Sequence, residues 1–443
     1  MANSYDLILR GGVCVLPGGS VRADLGITAG RIAAVGDLAA STAGESIDCR
    51  TLHVLPGAID PQVHFREPGF EHKEDLESGT RAAVLGGMTS IFEMPNTEPP
   101  TTTAAALADK FSRAKGRAWC DHAFFVGATP DNAETLGELE REPGCAGVKV
   151  FMGRSTGNLL VDREEDLHRV LAHGSRRVAV HAEDEQRLQE RYQELDLEGR
   201  RDLLLHPEWR DVETALRATT RLLAMARKTG RPVHVLHITT AEETALLADH
   251  RDIATFECTP QHLILASPDC YLELGALVKM NPPIREARHR DALWQAVGDG
   301  TLDAIASDHA PHTLEEKALP FPECPSGMTG VQTLLPLMLD AVGRGQLSLE
   351  RLVELCCEGP ARVYRAQRKG RLEVGADADV VLVDLAARRR IENDWIASRC
   401  GWTPFDGREV RGWPVATLVR GHFVMRDDEL QGTPLGEPVE FAL

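Results

Sequence analysis

Residues 147–184 read GVKVFMGRSTGNLLVDREEDLHRVLAHGSRRVAVHAED. Two short apolar runs, GVKVFMG (147–153) and RVAVHAED (177–184), flank an amphipathic stretch, DREEDLHRVLAHG (162–174). Short apolar runs predict buried strands, and apolar residues at helical spacing predict a helix between them. Strand, helix, strand is the repeating unit of a parallel sheet. The alternation continues on both sides. Upstream stand AIDPQVHF (58–65), TSIFEMPN (89–96) and HAFFVGAT (122–129); downstream stand PVHVLHITT (232–240), IATFECTP (253–260) and LDAIASDH (302–309). Helical patterns separate them, from KEDLESGTRAAVLGG to REARHRDALWQAVGDG. Eight strands in roughly 300 residues suit a closed (β/α)8 barrel of about 250 residues with insertions. EQRLQERYQELDLEGRRDLLLHPEWRD (185–211) reads as a helix and loop inserted after the fifth strand. The alternative is an open doubly wound sheet, but no G-x-G-x-x-G follows any strand, which leaves a dinucleotide fold poorly supported.

The chain ends have another texture. YDLILRGGVCVL and VRADLGITAGRIAAVG near the start match RLEVGADADVVLVD (371–384) and RGWPVATLVRGHFVMR (411–426) in alternation and glycine punctuation. These are signs of short strands and turns. Residues 1–55 and 365–443 are therefore expected to build one composite β domain, with residues 56–364 as the barrel.

Composition narrows the function. Of 443 residues, 43% are apolar and 26% charged, an ordinary globular balance. No apolar run is long enough to span a membrane, and MANSYDLILRGG does not read as a secretory signal. The net charge of -18 opposes nucleic acid and anionic membrane as partners. Ten scattered cysteines without a C-x-x-C pair are expected to be reduced core residues of a cytoplasmic protein.

Catalytic groups of a barrel come from the C-terminal ends of its strands. Nearly every candidate strand here ends in a ligand-type residue: Gln62, His64 and Arg66, then Asn96, Lys149, His181, His237 and Asp308. Side chains two apart share a face of a strand, so Asp60, Gln62, His64 and Arg66 point one way, as do Lys149 and Phe151. His234 and His237 differ in parity; His237, nearer the strand end, is assigned to the site and His234 to the structure. An unpaired ammonium inside GVKVFMG would be costly. Lys149 is therefore read as a base, a Schiff-base former or a carbamate. With two histidines and an aspartate on neighbouring strands, the carbamate bridging two cations is the natural reading. Imidazole and carboxylate suit zinc or a similar ion. Asp308 opens DHAPH and can shuttle a proton. Arg66 is a planar donor suited to a carboxylate, with an ion pair to Glu67, Glu71 or Asp308 as the alternative, and His312 sits in the loop beyond.

These residues carry a resemblance. DPQVHFREPG (60–69), MPNT (94–97), GVKVFMG, VHAEDE (180–185), LHITTAEE (236–243), KMNPPIR (279–285) and SDHAPH (307–312) are similar to the dihydroorotase pattern, in order and over nearly the whole chain. That family is the cyclic amidohydrolase branch of the amidohydrolase superfamily. GRLEVGADADVVLVD and NDWIASRCGWTPFDG near the C-terminus resemble it too. The resemblance implies a metal-dependent (β/α)8 TIM barrel with a small β-sandwich domain formed by both chain ends. It implies zinc-dependent, reversible hydrolysis of dihydroorotate to N-carbamoyl-L-aspartate in pyrimidine biosynthesis. It implies one or two Zn2+ ions held by His64, N6-carboxylated Lys149, His181, His237 and Asp308, with Asp308 as the catalytic proton shuttle. Arg66, Asn96 and His312 would hold the substrate carboxylate, and Asn281 would lie near its ring. It further implies a cytoplasmic homodimer. Gln62 departs from the pattern, since a histidine is usual there; this leaves the first metal position in question. Two alternatives stand beside this reading. One is another cyclic amidohydrolase of the hydantoinase, allantoinase or dihydropyrimidinase kind, against which the arginine of REPG argues. The other is a non-catalytic homologue that supports aspartate transcarbamoylase.

Overall fold

A computed structural model of the chain describes residues 4–154 and 159–443. Residues 1–3 of the expected N-terminal β region lie outside the described residues.

The barrel strands are Ala58–Val63, Met88–Glu93, Asp121–Gly127, Cys145–Phe151, Val178–His181, Val233–Val235, Ala254–Cys258 and Ala304–Ile305. They lie side by side in chain order, each parallel to the next. The first and last meet where His64 N–H donates to His309 O at 2.7 Å and Val63 bridges His309. The eighth strand is much shorter than the apolar run 302–309 suggests. Asp308 takes φ 46°, and a left-handed residue cannot continue an extended ladder.

Helices fill the crossovers where the sequence pattern places them, for example Leu76–Leu85, Ala104–Ala114, Glu164–Ala172 and Val212–Thr229. Side chains stop them at defined points. Asp75 forms a capping box with Ser78, and Thr103, Asp211 and Thr240 cap their helices by accepting a backbone N–H. Val212–Thr229 buries Ala215, Ala218, Leu222 and Ala226, the spacing that faces one stripe to the sheet. It ends at Gly230, whose φ of 69° is a left-handed C-cap. The insertion after the fifth strand is two helices, Glu185–Glu194 and Leu205–Trp209.

The chain ends build one mixed sheet of nine strands. His53–Pro56 is its joint. This strand runs parallel to Ser4–Leu16 and antiparallel to Val380–Arg390, so it ties the N-terminal strands to the C-terminal ones. Leu9, Leu25, Val54, Val380 and Leu418 form part of its core. The last residues leave this sheet and return to the barrel. Pro438 bridges His122, and the Phe441 ring packs 5.4 Å from that of Phe92. Tyr364 packs edge-on against Phe92 and Phe125. These aromatics join Ile59, Ala123 and Ala179 in an apolar cluster separate from the main barrel core.

Candidate active site at the strand ends

Nine of the residues singled out from sequence meet in one small cleft. Gln62, His64, Arg66, Asn96, Lys149, His181, His237, Asn281 and Asp308 line it, with Phe151, Ala310, Ser326 and Gly327. His312 stands behind this wall. Its Nε2 lies 3.3 Å from Arg66 Nη2 and 3.2 Å from Ser326 O, and its Nδ1 lies 3.1 Å from Lys73 Nζ. His234 lies elsewhere, bonded to Thr255 and Glu257.

Three of these residues hold a backbone that non-glycine residues rarely adopt. Arg66 has φ 65°, His237 φ 37° and Asp308 φ 46°. Such conformations cost about 1–3 kcal/mol each and persist where surrounding structure enforces them. Here each turns a side chain into the cleft just past a strand end. Gly327 closes the opposite wall. A Cβ there would lie 2.3 Å from Ala310 O, so only glycine permits the approach.

The nitrogen groups fall into two sets. On one side, His181 Nδ1 lies 3.0 Å from His237 Nε2, and Lys149 Nζ is buried without a hydrogen-bond partner. Nζ also sits 4.4 Å from the centroid of the Phe151 ring. Burial pushes the Lys149 amine down to about 7, against the pull of Asp308 and Glu257. On the other side, His64 Nδ1 lies 2.7 Å from Asn96 Oδ1, and its Nε2 lies 3.2 Å from Asp308 Oδ1. Burial depresses His64, His181 and His237 below the usual imidazole range. Neutral imidazoles offer lone pairs. Two ligand atoms about 2.0–2.1 Å from a tetrahedral ion stand roughly 3.3 Å apart. The His181–His237 and His64–Asp308 separations are close to that edge. The two imidazoles, and the Lys149 nitrogen once carried as an anion, could hold a divalent metal ion.

Arg66 is the cation of the cleft. Its Nε donates to Pro311 O at 3.2 Å, and among the described residues it forms no ion pair with a carboxylate. Burial draws it down to about 10, so it stays charged at neutral pH. Asn281 adds a buried Oδ1 without a partner.

Sequence reading gave no role to two supporting acids, although it placed Asp60 on the site-facing side of the first strand. Glu183 Oε2 lies 2.8 Å from His181 Nε2 and pairs with Arg210. Its signal was parity, two residues beyond a site histidine. Asp60 Oδ1 accepts the Ser307 N–H at 3.0 Å and the Gln62 N–H at 3.2 Å, and burial raises it to about 7. It ties the first strand to the loop that carries Asp308, a link across 247 residues that no local pattern marks. A third acidic group, Asp121, Asp377 and Asp379, is not part of this cleft. The Lys369 ammonium lies 2.5, 3.0 and 2.6 Å from its three carboxylates and fills the position a cation would take.

Comparison with known proteins identifies the family. Residues 53–424 match the amidohydrolase family. The chain is 39% identical over 418 residues to a dihydroorotase of Halobacterium salinarum, covering 94% of this chain and 96% of that protein. It is 35% identical over 447 residues to an allantoinase of Deinococcus radiodurans, covering 98% of each. Among solved structures, the L-hydantoinase (dihydropyrimidinase) of Arthrobacter aurescens superposes with a TM-score of 0.94 at 30% identity, covering 98% of this chain and 100% of that one. With the barrel, its strand-end donors and these matches in hand, the chain belongs to the amidohydrolase family and is a hydrolytic enzyme.

Proposed function

We propose that this enzyme hydrolyses a cyclic amide, and that the amide is dihydroorotate, opened reversibly to N-carbamoyl-L-aspartate. Arg66 carries the choice of substrate. A buried guanidinium that forms no carboxylate ion pair among the described residues calls for an anionic ligand. Dihydroorotate has a ring carboxylate; allantoin and simple hydantoins do not. Asn96 and His312 assist Arg66 in holding that carboxylate, and Asn281 offers a buried acceptor to the ring.

Lys149 as its carbamate, His181 and His237 would hold a zinc ion, with His64 and Asp308 on the facing side. The cleft suits this group because Lys149 Nζ is orphaned and the imidazoles are neutral. Bound zinc supplies Lewis acidity, lowering the pKa of water and polarising a carbonyl. The chain's own residues do the rest. Arg66 and Asn96 fix the ring, which lowers the entropic barrier. Asp308 takes a proton from the attacking water and delivers it to the ring nitrogen as the C–N bond breaks. Gly327 and Ala310 narrow the cleft, and the insertion 185–211 supplies Arg210, the partner of Glu183. The homodimer, the cytoplasmic setting and a partner such as aspartate transcarbamoylase rest on the sequence resemblance alone. No helix among the described residues is long and apolar enough to cross a membrane.

The test compares kcat/KM of zinc-replete enzyme on dihydroorotate, allantoin and hydantoin, with Arg66→Met alongside. Dihydroorotate should be preferred, and Arg66→Met should lose about 100-fold on it, the scale of a charge-assisted contact. Preference for an uncharged ring, or an indifferent Arg66→Met, would overturn the reading.

A further inference from the structure

Gln62 stands where the family resemblance calls for histidine, and the structure shows what it does instead. Its Nε2 donates to Asp308 Oδ1 at 3.0 Å. A carboxylate oxygen accepts and does not donate, so the amide nitrogen must face Asp308. That fixes the amide orientation and leaves Oε1 as the atom turned away. Oε1 is buried and has no hydrogen-bond partner, on a residue 1% exposed. The backbone beneath is pinned as well, since Asp60 Oδ1 accepts both the Gln62 and Ser307 N–H groups.

The two sides of the cleft are therefore unequal. The Lys149 side has two imidazoles, His181 and His237. The Asp308 side has one imidazole, His64, and a neutral amide oxygen. An amide oxygen is a poor ligand for zinc beside imidazole, and carbonyl oxygens suit harder ions. We infer that Gln62 is a positioning residue for Asp308 rather than a zinc ligand, and that the chain consequently holds one tightly bound zinc ion, on the Lys149–His181–His237 side. This rests on the metal assignment proposed above. The exchange trades a second ion for a fixed base. Gln62 Nε2 donates to Asp308 Oδ1 at 3.0 Å and holds that oxygen in place.

Zinc content measured by elemental analysis after dialysis of full-length enzyme tests the inference directly. Wild type should retain one zinc per chain, and Gln62→His should retain two. Gln62→Met, which keeps the shape and loses the N–H, should keep one zinc and an unchanged KM while kcat falls about 10-fold; a merely structural role would not split kcat from KM. Two tightly held zinc ions in wild type, one in Gln62→His, or an unchanged kcat in Gln62→Met would each overturn this inference and leave the metal assignment standing. Absence of zinc from wild type would overturn both.

Discussion

His181 turns its Nδ1 toward His237 because Glu183 holds its other ring nitrogen, at 2.8 Å. Glu183 is itself fully buried and paired with Arg210, so the imidazole has one orientation. A carboxylate behind a metal-ligating histidine fixes the tautomer and raises basicity. Glu183→Gln keeps the shape and removes the charge. Its zinc affinity, read by competition with a chelator, should fall about 10–100-fold. An unchanged affinity would show that Glu183 only supports the loop.

Lys149 offers the second check on the proposed metal centre. Burial holds its amine down to about 7, so above that pH the neutral, nucleophilic form dominates and can add carbon dioxide. Lys149→Ala should lose zinc, and a short carboxylic acid such as propionate should restore part of both zinc and activity. Full zinc occupancy in Lys149→Ala, with no effect of propionate, would rule out the carbamate.

Lys369 clasps the barrel to the mixed sheet. Its ammonium bridges Asp121 at the start of the third barrel strand to Asp377 and Asp379 beside the strand Val380–Arg390. Removing one member of a buried charge network leaves the others uncompensated and costs about 3–5 kcal/mol. Lys369→Met should therefore melt well below wild type at pH 7. The pH dependence has a definite sign. Burial pushes Asp121 up, but Lys369 and Arg420 outweigh it and hold the carboxyl below its ordinary range. Its stabilising contribution is present above the unfolded pKa of about 3.9 and is lost as pH falls through the folded value. Without Lys369 the same carboxylates favour protonation. The gap in melting temperature should narrow as pH drops from 7 to 4; a gap that widens would refute the clasp.

The cysteines give a prediction about reactivity. All ten are free, and all but Cys400 are buried. Burial pushes Cys14 and Cys145 up to about 11, and Cys49, Cys356 and Cys400 up to about 12. Thiolate is the reactive form. At pH 8 a thiol reagent should titrate fewer than two groups rapidly in the native enzyme and ten in denaturant. Three or more fast groups in the native state would contradict this packing.

How much of this was legible beforehand follows from what is local. The alternation of apolar runs with amphipathic stretches is written residue by residue, so the barrel and its helices could be read from sequence. Strand parity separated His237 from His234 and put Gln62, His64 and Arg66 on one face. The same parity extended strand eight too far, because the left-handed turn at Asp308 is imposed by the site and not by the residues 302–309 themselves. Nor does local sequence reveal that Pro438 and Phe441 leave the β sheet to pack at the barrel, a choice made by Phe92 and Tyr364.

Sequence by itself determined the barrel, the polar residues at its strand ends and the departure at Gln62. Only the tertiary structure decided what that anomaly does. The Gln62 amide and the Asp308 carboxylate are 246 residues apart in the chain and 3.0 Å apart in space. The same closure brings Asp60 to Ser307 and leaves Arg66 buried without a carboxylate ion pair among the described residues. Hydrogen bonds and ion pairs act over a few ångströms, so their partners are chosen by where the barrel closes. Periodicity sets which way a side chain points; only closure sets what it meets.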